Sequence, residues 1–396
     1  MKRIGIVSCY FQHNYGSMLQ ALATQMALDK LNYENETVDI SGFNHEIKKA
    51  KLLYFAKASL TSDILLSKLG MAKNVLIKKF SKNEYAAVSR IRAEKFDDFS
   101  KKWFRKSPKY TSKKELGDSC KENYSSVLVG SDQLWLPGNI AADYYTLNFV
   151  PETVNTIAYA TSFGQSSLPK DSARKAALFL KKIRHIGVRE ESGQKLVKEL
   201  AGRDVPVVCD PTLLFTGEEW LSIQKDEPIV EDKYILCYFL GNNPPHREFA
   251  KRLRQATGCK IVALTHLDEF VKSDEGYADE TPYNVDPADF LNLIRNATYV
   301  CTDSFHCSVF SMLYKKVFFT FRRYARKTKS STNSRLDTLF RLAGVSGRIL
   351  EGTEDIQKCL SMEIDYDRVH QNFAKIREES YQYLQNALED KESTDL

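Results

Sequence analysis

The chain opens with an apolar run, RIGIVSC (3–9), followed by a polar YFQHNYGS (10–17) and then MLQALATQMALDKL (18–31), where Leu, Met and Ala recur at helical spacing. That order predicts strand, loop and helix, and ETVDI (36–40) adds a second strand, giving a βαβ opening. After a lysine-rich stretch the alternation resumes. SSVLVG (125–130), NTIAYATSFG (155–164), HIGV (185–188) and VPVVC (205–209) read as strands, with helices at DSARKAALFLKKI (171–183) and SGQKLVKEL (192–200). A second series follows, with a short helix at EEWLSI (218–223) and strand-like runs at YILCYFLG (234–241), KIVALTH (260–266), YVCTDS (299–304) and KVFFTF (316–321). Between them REFAKRLRQATG (247–258) closes on Gly, and DPADFLNLIRNA (286–297) places Pro in its first turn, both ordinary helix punctuation.

Strands and helices alternating at these lengths predict an α/β protein with two doubly wound, largely parallel sheets. We place the boundary near residue 216. Residues 1–216 form one Rossmann-like domain carrying a basic helical insertion at about 45–115, and residues 217–396 form a second, whose last helix (367–390) can pack back on the first. The length of 396 residues suits two such cores, and 43% hydrophobic with 27% charged residues is an ordered, globular composition.

No apolar run reaches the roughly 18–20 residues that cross a bilayer, and the N-terminus turns polar too soon for a signal peptide, so the expected location is the cytoplasm. The eight cysteines are scattered, several in strand-like runs and with no Cys-x-x-Cys pair, which reads as buried reduced thiols. A zinc site on Cys301, His306 and Cys307 lacks a second ligand pair at suitable spacing, and no metal is expected.

The net charge of +6 is mild, but its distribution is not: between Lys48 and Lys114 there are 19 Lys/Arg against 5 Asp/Glu. Within this segment ILLSKLGMAKNVLIKKF (64–80) mixes aliphatics and lysines at helical spacing. It reads either as a basic amphipathic helix for an anionic membrane surface, which would place the protein peripherally on the inner face of the cell membrane, or as a solvated insertion. No nucleic-acid-binding module accompanies the charge, and no nucleic-acid partner is expected.

In open α/β sheets ligands collect beyond the carboxyl ends of the strands. The polar residues at those ends are His13, Asn14, Tyr15 and Gly16; Ser131, Asp132 and Gln133; Arg189; Asp210; and Asp303, Ser304 and His306. One imidazole, one guanidinium, carboxylates and neutral donors drawn from both halves suit an anionic small molecule meeting a polyhydroxylated one in a cleft. Each has a plainer reading: a capping or core histidine for His306, a surface ion pair with Glu190 or Glu191 for Arg189, a helix cap for Asp132, a turn former for Asp210 before Pro211. The run RRYARKTKSSTNSRLD (322–337) reads as a basic loop from which Arg335 can reach back toward His306, or as a solvated one. No P-loop, G-x-G-x-x-G, H-E-x-x-H or G-x-S-x-G pattern is present.

The blocks NYGSMLQALATQ, VLVGSDQLW, GVREESG, VCDPTLLF and DFLNLIRNATYVCTDSFHCSVFSMLYKKVFFTF, in this order, resemble the polysaccharide pyruvyl transferase family. Leu136 departs from the pattern where related chains often have Asn, and so does Cys307 where Gly is common. The resemblance implies a GT-B-like pair of domains, with the acceptor on the N-terminal and the donor on the C-terminal side. It further implies phosphoenolpyruvate as co-substrate with no other cofactor, and a pyruvate ketal across two hydroxyls of a sugar acceptor, lipid-linked or otherwise, as product. On that basis His306 and Asp132 are the expected catalytic residues. Arg189, Arg335, Ser304 and His306 are expected at the donor, and Asn14, Tyr15, Gly16 and Gln133 at the acceptor. The alternative is a GT-B glycosyltransferase that uses a nucleotide-sugar.

Overall fold

The computed structural model describes residues 2–58, 83–266, 271–323 and 334–390. Among the described residues ten strands form two five-stranded sheets, parallel throughout. The first comprises β1 (Arg3–Val7), β2 (Asn35–Thr37), β3 (Tyr124–Val129), β4 (Asn155–Thr161) and β5 (His185–Val188) in the order β2-β1-β3-β4-β5. The second comprises β6 (Tyr234–Tyr238), β7 (Lys260–Ala263), β8 (Tyr299–Thr302), β9 (Val317–Phe321) and β10 (Ile349–Leu350) in the order β10-β9-β8-β6-β7.

The first half carries helices α1 (Tyr15–Lys30), α2 (Asn44–Ala58), α3 (Asn83–Trp103), α4 (Lys113–Asn123), α5 (Pro137–Ala142), α6 (Lys170–Lys182) and α7 (Glu191–Ala201). The second carries α8 (Pro244–Thr257), α9 (Pro287–Asn296), α10 (Phe305–Leu313), α11 (Ser334–Ala343), α12 (Ile356–Ser361) and α13 (Tyr366–Leu388). Their ends follow local chemistry. Asn14 Oδ1 accepts from Ser17 N at 3.0 Å, so α1 starts at Tyr15, three residues earlier than periodicity suggests. Asp286 and Asp289 form a reciprocal capping box around Pro287 at the start of α9, and Gly258 ends α8 at φ 71°.

One expected strand is absent. VPVVC contributes a single bridge, Val207 to Val188, because Pro206 and Pro211 bracket the run and lack the N–H groups a ladder requires. A short 3-10 helix, Pro211–Leu214, follows instead.

The halves share one core. Ile6, Leu22, Phe310 and Phe373 belong to the same buried apolar cluster. Tyr15 of α1 stacks on Phe290 of α9, with ring centroids 4.6 Å apart and planes 6° apart. Helix α13 spans the two: Asn372 Nδ2 donates to Ala343 O in the second half, and Tyr383 Oη donates to Ala158 O in the first. Of the basic segment, residues 64–80 lie outside the described residues. Its flanks are built in: Phe96 and Phe99 of α3 enter the shared core and α2 packs on α5. Among the described residues no helix is long and apolar enough to cross a membrane.

Candidate active site

Residues that follow β1, β3, β6, β8 and β9 line one cavity of about 380 Å³ between the two halves, and Arg189 after β5 lies behind its wall. Asn14, Asp132 and Gln133 reach it from the first half, and Ser304, His306 and Arg335 from the second. Both α1 and α10 begin there, so their free N–H groups and positive dipole ends point toward the same space. Ser304 caps α10, its Oγ accepting from Cys307 N at 3.4 Å.

Asp210, on the loop after Val207, is the hub beneath the cavity. Its Oδ1 accepts from Thr212 N and Thr212 Oγ1 at 3.1 and 2.7 Å, so it is the turn former the sequence suggests. Its Oδ2 also accepts from Arg189 Nη1 at 2.7 Å and Ser131 Oγ at 2.8 Å, and faces His306 Nε2 at 3.6 Å. Burial favours the neutral acid, but His306 and then Arg189 hold this carboxyl far below the usual range.

Asp132 sits at φ 81°, the left-handed region that a residue with a Cβ occupies only when its surroundings hold it there. Its Oδ2 accepts from Ser17 Oγ at 2.6 Å and its Oδ1 from Gln133 N at 2.8 Å. Burial pushes this carboxyl up; the Arg189 charge, then His306, outweigh burial and leave it depressed.

Arg189 does not make the surface ion pair with Glu190 or Glu191; Glu191 pairs with Arg341 instead. Its side chain is 2% exposed, behind the cavity wall, with Nη1 on Asp210, Nη2 3.8 Å from Asp132 and the guanidinium 4.6 Å from the centre of the Phe305 ring. Arg335 lies 5.9 Å from the same ring. Burial, and then the like charge of Arg189, push Arg335 down to about 9. Among the described residues, Arg189 Nε and Nη2, Arg335 Nε and His306 Nε2 are buried without a hydrogen-bond partner. Of these, Arg335 and His306 line the cavity, so its wall on the second-half side is rich in buried nitrogen.

Two expected acceptor residues are corrected. Tyr15 is packed between the halves, its Oη donating to Val285 O at 3.3 Å, and does not line the cavity. Gly16 serves a close approach: a Cβ there would lie 2.1 Å from His306 Nδ1. His13 is exposed against Asp97, away from the cavity. Cys301 and Cys307 are buried in two separate apolar clusters.

Sequence reasoning missed Lys51 and Phe55 of α2 and named Arg323 only as part of a loop; all three line the cavity. Arg323 follows the end of β9, so the strand-end rule points to it, and its Nη2 donates to Asp303 O at 3.0 Å. Lys51 carries no motif. Its proximity to the site depends on how α2 packs on α5, and burial pushes its ammonium down.

A model of the polysaccharide pyruvyl transferase family matches residues 14–323. No curated protein matches the chain. Among solved structures, a putative UDP-N-acetylglucosamine 2-epimerase from Listeria monocytogenes aligns with TM-score 0.56 at 12% identity, covering 100% of this chain and 99% of that one. The UDP-N-acetylglucosamine 2-epimerase from Rickettsia bellii gives 0.52 at 10% identity over 98% and 97%. These likenesses are of fold: two parallel sheets with flanking helices in the GT-B arrangement.

Proposed function

Because the chain belongs to the polysaccharide pyruvyl transferase family, we propose that it takes phosphoenolpyruvate as donor and closes a pyruvate ketal on two hydroxyls of a sugar acceptor. The observation that supports the donor is the cationic cavity wall at the meeting helix N-termini, where Arg335, whose Nε is buried and unpartnered among the described residues, lies with Arg323 and His306. A three-carbon acid carrying both a carboxylate and a phosphate suits such a wall.

In this reading Arg335 and Arg323 bind the anionic groups, with Ser304 beside them, while Arg189 supplies positive potential from behind Phe305. His306 delivers a proton to the enol methylene. The C2 carbon, now electron-poor, is attacked by one sugar hydroxyl; the C2–O bond to phosphate breaks, and the second hydroxyl closes the ring. Of the two hydroxyl protons released, one restores the acid and the other leaves with phosphate. Asp132, depressed in pKa, is suited to accept a hydrogen bond from the attacking hydroxyl and orient it, with Asn14 and Gln133 along the same wall.

The basic segment fits a membrane-associated acceptor through Lys48, Lys49, Leu52 and Leu53. These lie on the outer face of α2, the helix whose Lys51 and Phe55 reach the cavity, and the two leucines are 68% and 54% exposed.

The test is incubation with phosphoenolpyruvate and a panel of sugars, following phosphate release and product mass. Phosphate and ketal are expected in equal amounts and only with acceptor present. Release of phosphate without ketal, or no turnover with any acceptor, contradicts the reading.

A further inference from the structure

The two ring nitrogens of His306 face different surroundings. Nε2 is buried, has no hydrogen bond among the described residues, and points at Asp210 Oδ2 from 3.6 Å, a little beyond hydrogen-bond length. Nδ1 lies on the other side of the ring, against the bare α-carbon of Gly16 in the first turn of α1. Asp210 cannot swing away, since its two oxygens are already fixed by Arg189, Ser131 and Thr212. His306 is held in turn by α10, where Ser304 caps the helix and the ring meets Phe305 edge-on at 5.2 Å.

We propose that Asp210 is the positioning carboxylate of this site: it fixes the proton on His306 Nε2, so that Nδ1, in the gap kept open by Gly16, is the atom that exchanges a proton with the substrate. A carboxylate that orients an imidazole by holding one nitrogen leaves the other with a defined role, the logic of every carboxylate–imidazole pair in acid–base catalysis. Asp210 remains ionised across the neutral range, so it acts only as an acceptor and never competes for the working proton.

The step balances. In the doubly protonated ring the Nδ1–H bond breaks as the C2=C3 π pair of the enol forms a C3–H bond. The ring is left neutral with its proton on Nε2 beside Asp210, and Nδ1 regains a proton from an acceptor hydroxyl. The same assignment gives Gly16 a reason that helix propensity does not. Alanine is the better helix former, yet its methyl would overlap Nδ1.

This inference rests on the proposed role of His306 in pyruvyl transfer, and its test has a readout independent of turnover. In protein carrying ¹⁵N-labelled histidine, the neutral His306 ring is expected to hold its proton on Nε2 with Nδ1 bare. In Asp210→Asn the new amide donates to Nε2 and reverses that preference. With phosphoenolpyruvate and acceptor, Asp210→Asn is expected to lower kcat about 10²- to 10⁴-fold, the usual range for loss of an acid–base group, while the KM for phosphoenolpyruvate moves less than about 5-fold. Gly16→Ala displaces the ring and is expected to lower kcat at least about 10²-fold, with melting lowered by the overlap. A wild-type ring protonated on Nδ1, a tautomer indifferent to Asp210→Asn, or full activity in Gly16→Ala overturns the proposal. If the tautomer behaves as stated while no acceptor supports turnover, the functional reading fails and the assignment of the nitrogens stands.

Discussion

Arg189 and Asp210, 21 residues apart in sequence, form an ion pair of 2.7 Å with side chains 2% and 0% exposed. Such a pair adds little net stability over an apolar replacement, but removing one partner strands the other. Arg189→Ala is therefore expected to lower the unfolding free energy by about 3–5 kcal/mol. Arg189→Met combined with Asp210→Asn should cost less than the two single changes added together. Denaturant titration of the four proteins measures this; strict additivity would mean the pair is not coupled.

Arg335 has the opposite character. It is 8% exposed, pushed down by burial and by the Arg189 charge, and its Nε is unpartnered among the described residues. Arg335→Met is expected to raise the stability of the ligand-free protein by about 1 kcal/mol or more. The same change should weaken phosphoenolpyruvate binding about 10- to 100-fold, the range for one or two hydrogen bonds to a charged group. Melting curves with and without the donor read both effects. A variant that is less stable and binds normally would remove Arg335 from the donor site.

Tyr15 gives a contrasting case. Its ring supports the contact between the halves through Phe290, and its hydroxyl makes one hydrogen bond, to Val285 O. Tyr15→Phe is expected to cost about 1 kcal/mol. It should leave kcat and the acceptor KM unchanged in steady-state assays, whereas a rise in acceptor KM would return Tyr15 to the acceptor site.

The first-half strands other than VPVVC, the opening helix and the strand-to-helix turn at His306 are legible because each is written in local periodicity and capping residues. The role of Asp210 was half legible. Asp-Pro announces a turn, but nothing in the sequence says that its second oxygen meets a guanidinium from β5 and an imidazole from α10. Arg189 was misjudged in its plainer reading because acidic neighbours in sequence, Glu190 and Glu191, suggested a surface pair. Burial depends on the packing of Phe305, more than a hundred residues away. Lys51 is unreadable for the same reason, and Tyr15 reads as a site residue because adjacency to Asn14 says nothing about which way a ring turns in the first turn of a helix.

Acid sensitivity follows from His246, which is stacked on Phe321 with centroids 4.7 Å apart and is pushed down to about 4 from 6.5, chiefly by burial. Its neutral form fits the fold. Between about pH 6.5 and 4 the unfolded chain takes up a proton that the folded chain refuses, so stability is full above this window and falls as the pH drops through it. Asp210, depressed below 3.8, adds stability that is present above that value and lost only at lower pH. His246→Phe is expected to flatten the fall between pH 6.5 and 4 and leave the lower limb; an unaltered curve in urea titrations would contradict this.

For the outer face of α2, vesicle flotation is expected to show binding to anionic liposomes that weakens with salt, and Leu52→Ser with Leu53→Ser should reduce it several-fold. Equal recovery on neutral and anionic vesicles would indicate a solvated face.

Calorimetric titration of the wild-type protein with phosphoenolpyruvate, and separately with UDP-sugars, asks whether the cavity between the sheets takes a small acid carrying phosphate. Saturable heat with phosphoenolpyruvate that is largely lost in Arg335→Met, and no comparable heat with UDP-sugars, is the expected result. Tight UDP-sugar binding with no phosphoenolpyruvate heat would contradict it.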